Sequence, residues 1–215
     1  MSKNVKISLA MVALAAVAVL VVANTGTDDG ATTPAGGDTR VNRLVRPDSQ
    51  RLSVAADGKV TFVEFLDFEC EACGAAYPAI EQLRERYGDR VTFVVRNFPL
   101  HNNSEAAARA AEAAAGQGKF EEMYDKLFQT QSQWGEKSTS QQEVFFGYAA
   151  GLGLDMARFR AVYDDPATLE RIRRDKADGQ ALGVTGTPTF FLNGDKVAVS
   201  SIAGLSRQID SALAG

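Results

Sequence analysis

The 215-residue chain has only two cysteines, one tryptophan and one histidine. Two cysteines are too few for a disulfide-stapled small fold. With one histidine they cannot close a zinc site of four Cys/His ligands within one chain. The chain also lacks an excess of positive charge: 23 Lys+Arg stand against 27 Asp+Glu, for a formal net charge of −4. Without a diffuse positive field, no nucleic-acid partner is expected. Apolar side chains are plentiful, at 45% hydrophobic against 23% charged, which is enough to fill a core and argues against global disorder. No metal or other cofactor is expected, and the two cysteines remain as the place for chemistry.

The first residues read as a targeting segment. Lys3 and Lys6 precede an uncharged stretch from Ile7 to Ala23, and the next charges are Asp28 and Asp29. At a helical rise of ~1.5 Å that stretch makes a rod of roughly 25 Å, at the short edge of a membrane span. The flanking lysines predict residues 1–6 inside the cell and the rest outside. Residues 7–23 are thus expected to be a single-pass transmembrane anchor. The alternative is a signal peptide cleaved after Val21-Val22-Ala23, leaving a secreted or periplasmic protein. Its apolar region usually runs ~7–15 residues, so the longer run favours the anchor. No cysteine precedes Cys70, which excludes lipidation at a signal-peptide cysteine. Residues 24–47, rich in Thr, Gly, Asp, Ala and Pro, read as a flexible linker. Near its end Val41, Leu44 and Val45 suggest a first strand, and a folded domain is expected over 48–215.

Within that domain the hydrophobic period alternates between two types. Val60 to Leu66 is a short, nearly continuous apolar run, as in a strand covered on both faces. Ala76, Ile80, Leu83 and Tyr87 then form one helical stripe, with Gly88 as a stop. Val91 to Val95 reads as a second buried strand, so the three elements make a right-handed βαβ unit with parallel strands. Helices are expected over Ser104–Ala115, Phe120–Gln131, Gln141–Ala150 and Met156–Tyr163. Another begins at the Asp165-Pro166 cap and ends near Gly183. Thr189 to Leu192 and Val197 to Val199, joined by Asn193-Gly194, read as a hairpin, and Leu205, Ile209 and Ala212 mark a final helix. The expected class is α/β, ordered βαβ, helices, ββα, with a helical insertion over about 104–183.

Cys70-Glu71-Ala72-Cys73 falls where a buried strand gives way to a helix. Two thiols three positions apart on the first turn can close a disulfide with little backbone movement. The helix N-terminus favours a thiolate at the first of them. A structural bridge over so short a loop would remove little chain entropy, so a redox role is preferred. Glu64 lies six residues before Cys70 and shares a strand face with Phe62 and Leu66. Apolar surroundings should raise its pKa, suiting it as proton acceptor for Cys73; an edge carboxylate in water is the alternative. Pro188, beside a β-run, marks a turn, bulge or edge, and Gly186-Thr187-Pro188-Thr189 could hold a cis peptide. His101, in a polar loop before a helix, reads as a solvated or capping side chain. Phe120, Tyr124, Phe145 and Phe146 read as core of the helical block, some of them open to a role in a substrate groove.

With these residues in place the chain resembles the thioredoxin superfamily, and within it the DsbA-like thiol:disulfide oxidoreductases of bacterial envelopes. The likeness covers about Val41 to Ala214. It rests on the acid before Cys-x-x-Cys, on Pro78, on Asn97-Phe98-Pro99-Leu100-His101, and on Gly183 to Phe190. The resemblance implies a thioredoxin-like fold with an inserted helical cap. It implies a cis Pro188 packed against the cysteines, and Thr187 offering its backbone to a substrate peptide beside Glu71 and Ala72. It implies a monomer that exchanges disulfides with exported proteins, most readily as a dithiol oxidase, and a membrane quinone-linked partner of the DsbB or vitamin K epoxide reductase type. The alternatives are a reductase or isomerase using the same site, and a thioredoxin-like binding module or chaperone. Strongly oxidising members often place histidine or proline between the cysteines. Here Glu71 and Ala72 stand there, and Glu69 and Glu71 flank Cys70 with negative charge, so a milder oxidant is expected.

Overall fold

In the computed structural model, residues 37–198 and 201–215 are described. The expected cytoplasmic N-terminus (1–6), the anchor or signal segment (7–23) and the first part of the linker lie outside them. Among the described residues no helix is long and apolar enough to cross a membrane.

The elements run α1 (Gly37–Leu44), β1 (Gln50–Ser53), β2 (Val60–Leu66), α2 (Glu71–Tyr87) and β3 (Val91–Asn97). Then come α3 (Ser104–Ala115), α4 (Phe120–Gln129), α5 (Gln131–Trp134), α6 (Gln142–Gly151), α7 (Met156–Asp164) and α8 (Pro166–Ala181). The chain finishes with β4 (Thr189–Leu192), β5 (Asp195–Val197) and α9 (Ile202–Ala214). The five strands lie in the order β1-β3-β2-β4-β5. β2 pairs with β3 in parallel, from Val60 opposite Val91 to Leu66 opposite Asn97, and β1, β4 and β5 join antiparallel.

Both faces of the central strands are covered, which is why β2 and β3 read as apolar runs rather than alternating ones. On one face Phe62, Leu66, Phe93 and Phe190 pack with Ile80, Leu83 and Tyr87 of α2 and with Leu205 and Ile209 of α9. On the other, Val63, Phe65, Val94, Phe98 and Phe191 pack with Leu44 and Val184. α3 carries buried Ala107, Ala108, Ala110, Ala111, Ala113 and Ala114; these small side chains let α4, α6, α7 and α8 gather around it. Phe120, Tyr124, Phe145 and Phe146 are all buried in this block, and so serve as core.

The structure corrects the reading of the segment before β1. Val41, Leu44 and Val45 belong to a helix and the turn that follows it, not to a strand. Their spacing of i, i+3 and i+4 is that of a helical stripe, and the edge position beside β3 is taken by β1 instead. The linker's last residues are fastened: buried Arg96 donates to the carbonyls of Arg43 and Leu44 at 2.5 and 2.7 Å. Arg96 also pairs with Asp175 and Asp178 of α8, and Arg46 joins Asp178 through two hydrogen bonds. The helix expected over Phe120–Gln131 is broken at Thr130 into α4 and α5.

Candidate active site

The topology brings three loops to one end of the sheet. β2 and β3 are parallel, so the segments following them, 67–70 and 98–103, emerge together; β4 is antiparallel to β2, so the segment preceding it, 183–188, returns to the same end. Cys70 is the N-cap of α2, with φ −69° and ψ 120°, and its N–H bonds to the Asp67 carbonyl at 3.1 Å. Thr187-Pro188 is a cis peptide. The Thr187 carbonyl oxygen lies 3.3 Å from Cys70 Sγ. Cys70, Cys73, Thr187 and Pro188 therefore converge; Glu64 lies in the middle of β2, opposite Val95 and Phe190, close enough for its charge to act on Cys73.

The two thiols, both free in this structure, differ in environment. Cys70 is half-buried, whereas Cys73 is 1% exposed. The hydrogen bond from the Cys73 thiol is the largest influence holding the Cys70 pKa down to about 5. Partial burial opposes it, and the backbone N–H groups of Cys73 and Ala72 assist. These amides belong to the first turn of α2, where N–H groups have no helical acceptor. Cys73 is pushed far up, chiefly by burial, then by its bond to Cys70 and by the charge of Glu64. Glu64, 4% exposed, is raised to about 8 by burial, with a further push from Glu81. The alternative of an edge carboxylate in water does not hold.

The loop carrying Cys70 is held by groups that sequence reasoning missed. The Asp67 carboxylate accepts hydrogen bonds from the Glu69 and Leu100 amides at 2.9 and 2.7 Å. It also meets His101 Nδ1 at 2.7 Å. Gln131 Nε2 donates to the carbonyls of Phe68 and Cys70 at 2.8 and 2.9 Å. Asp67, in the turn after a buried strand, carried a local signal as a turn former; Gln131 comes from a distant element and carried none.

Two expectations change. Glu69 is buried, not an exposed flanking charge: its carboxylate accepts from the amides of Asn103 and Glu136 at 2.5 and 3.1 Å. Only Glu71 of the flanking pair is exposed, as is Ala72. His101 is neither a cap nor simply solvated. It pairs with Asp67 and lines an open cleft of about 590 Å³ with Cys70, Glu71, Ala72, Glu136 and Lys137.

An accessible sulfur at a helix N-terminus, a buried partner thiol and a cis-proline loop across from them make up a dithiol site of the thioredoxin type. Comparison with known proteins agrees. The thioredoxin family profile matches residues 55–211, and the chain belongs to that family. A thioredoxin-like oxidoreductase from Silicibacter pomeroyi is 27% identical, with TM-score 0.67 over 81% of this chain and 98% of that one. Alpha-DsbA1 of Wolbachia pipientis has the same fold at 20% identity, with TM-score 0.72 over 81% and 96% of the two chains. In sequence, the chain is 41% identical over 153 residues to a protein of Herminiimonas arsenicoxydans named as the Na(+)/H(+) antiporter NhaA. That match covers 71% of this chain and 24% of the antiporter, so the chain spans about a quarter of the length of the curated relatives it matches.

Proposed function

We propose that the protein forms disulfides in exported proteins, acting outside the cytoplasm as a dithiol oxidase. A substrate thiolate attacks Cys70 Sγ of the Cys70–Cys73 disulfide. The enzyme S–S bond breaks, a mixed disulfide forms, and Cys73 leaves and takes a proton for which protonated Glu64 is the source. The substrate's second thiolate then attacks the substrate sulfur and expels Cys70. Two electrons have passed to the enzyme, and Cys70 is left as a thiolate. In the return direction Glu64 accepts the Cys73 proton. A membrane quinone-linked protein of the DsbB or vitamin K epoxide reductase type would reoxidise the pair. Thr187, Glu71 and Ala72 would receive the substrate chain beside Pro188. Anchoring by residues 7–23, or secretion after cleavage, belongs to the same reading.

The observation that carries it is the site's geometry: half-buried Cys70 at the N-terminus of α2, its Sγ 3.3 Å from the Thr187 carbonyl of the cis-proline loop, with buried Cys73 three residues on. A stabilised thiolate favours the reduced enzyme, and a stable reduced form is what makes a strong oxidant. A pKa of about 5 falls between about 7 for thioredoxin and about 3.5 for DsbA, which supports an oxidant milder than the histidine-containing members. Equilibration with a glutathione redox series, read by mass spectrometry of trapped thiols, tests the direction. The expected potential lies between about −270 and about −120 mV, the values of those two proteins. A potential at or below the lower of these would make the protein a reductase.

A further inference from the structure

The residues between the cysteines, Glu71 and Ala72, offer no cation to the Cys70 thiolate, but the fold supplies one from elsewhere. His101 stands on the loop between β3 and α3 and lines the Cys70 cleft. Its side chain is 47% exposed, while that of its partner Asp67 is wholly buried. Among the described residues, His101 is the sole cationic side chain paired with Asp67, and a carboxylate removed from water needs such a partner. Nδ1 of the ring lies against Asp67, and the backbone N–H of His101 donates to Ser104 Oγ at 2.9 Å. The same Asp67 holds Cys70 through its backbone carbonyl, so one buried residue sets the positions of both the imidazole and the sulfur.

Other charged groups face this cleft. Glu71 projects from α2, Glu136 and Lys137 come from the segment after α5, and buried Glu69 lies beneath. Burial alone would lower the His101 pKa. The Asp67 hydrogen bond, and the charges of Asp67, Cys70 and Glu69, outweigh it and raise the pKa above its ordinary 6.5.

We propose that His101, oriented by Asp67, is the cation that stabilises the Cys70 thiolate of the reduced protein and so shifts the dithiol–disulfide equilibrium toward the dithiol. The proposal rests on Cys70 being the reactive sulfur of the function proposed above. In the step concerned a substrate dithiol gives two electrons to the Cys70–Cys73 disulfide. The substrate S–S bond forms, the enzyme S–S bond breaks, one proton goes to Cys73 and one to solvent, and Cys70 keeps a negative charge facing the imidazolium. His101 thus acts through Cys70 as a positioning residue rather than by bonding to substrate.

Coupling between two titrating groups must be reciprocal, and a chain with one histidine allows it to be read from both sides. In the full chain, thiolate absorbance should place the Cys70 titration about half a unit higher in His101→Gln. The glutathione equilibrium should move toward the enzyme disulfide by about three-fold, the same half unit expressed as a ratio. His101→Lys should return both toward the unmodified values, which a purely structural role would not do. NMR of the single imidazole should give a higher pKa in the dithiol form than in the disulfide form. Identical Cys70 titrations in the unmodified protein and His101→Gln, or an imidazole pKa indifferent to redox state, would overturn the proposal while leaving an acidic Cys70 intact. A Cys70 that titrates as an ordinary thiol in the unmodified protein would overturn the proposed function as well.

Discussion

Burial makes Glu64 the residue whose ionisation sets itself most directly against folding. Its carboxyl sits in the centre of β2 at 4% exposure, and among the described residues no hydrogen bond offsets the desolvation of its charged form. Its folded pKa of about 8 lies above the ordinary 4.5. Between those two values the folded state binds the extra proton, so stability falls as pH rises through this window and the loss is complete above about pH 8. Glu64→Gln carries no titrating proton. Denaturant titrations at pH 5 and pH 8.5 should therefore show the parent losing a few kcal/mol that the variant keeps. A parent as stable at pH 8.5 as at pH 5 would mean that the carboxyl is already ionised in the fold. On the function proposed above, in which Glu64 accepts the Cys73 proton, the same variant should slow resolution of a trapped mixed disulfide at neutral pH.

At the scale of elements, closeness of approach decides which substitutions the fold accepts. α8 lies so near the sheet that a Cβ on Gly179 would stand 2.9 Å from ring atoms of both Phe65 and Phe98. Backbone and aromatic rings cannot yield by that much without moving the helix. Gly179→Ala should therefore cost about 1–3 kcal/mol, typical of an overpacked core, measured as a lower urea midpoint at unchanged m; an unaffected midpoint would show that α8 can slide. This contact also marks what could be read from sequence. Elements with a strong period of their own, such as β2, α2, β3 and the Asp165-Pro166 start of α8, were legible because local pattern and tertiary burial agree. So was the placement of Cys70, Cys73 and Glu64 on one strand–turn–helix unit. Residues 41–45 were misread because three apolar positions, although spaced as a helical stripe, span little more than one turn, too short for the period to stand out. The Asp67–His101 pair was illegible because it joins loops 34 residues apart, brought together only by the parallel pairing of β2 and β3.

For the molecule as a whole, redox state and folding stability are two sides of one cycle, because the unfolded chain treats its two thiols as ordinary ones. Any preference of the folded protein for the dithiol must appear as greater stability of the dithiol form. Glu64 penalises both redox forms and largely cancels in the comparison. Cys73, raised above its unfolded value, is a thiol in either state of folding at neutral pH. The Cys70–Cys73 bridge closes too short a loop to stabilise the disulfide form much through chain entropy. What remains is the Cys70 thiolate, with a folded pKa of about 5 against 9.0 for the ordinary thiol. A depressed pKa contributes stability that is fully present above the unfolded value and is lost as pH falls through the folded one. The dithiol form should therefore unfold at a higher denaturant concentration than the disulfide form at pH 7.5, with the gap narrowing toward pH 4.5. If the disulfide form were the more stable at pH 7.5, the cycle would run the other way. The fold would then favour the oxidised enzyme, which would work by donating electrons to its substrates.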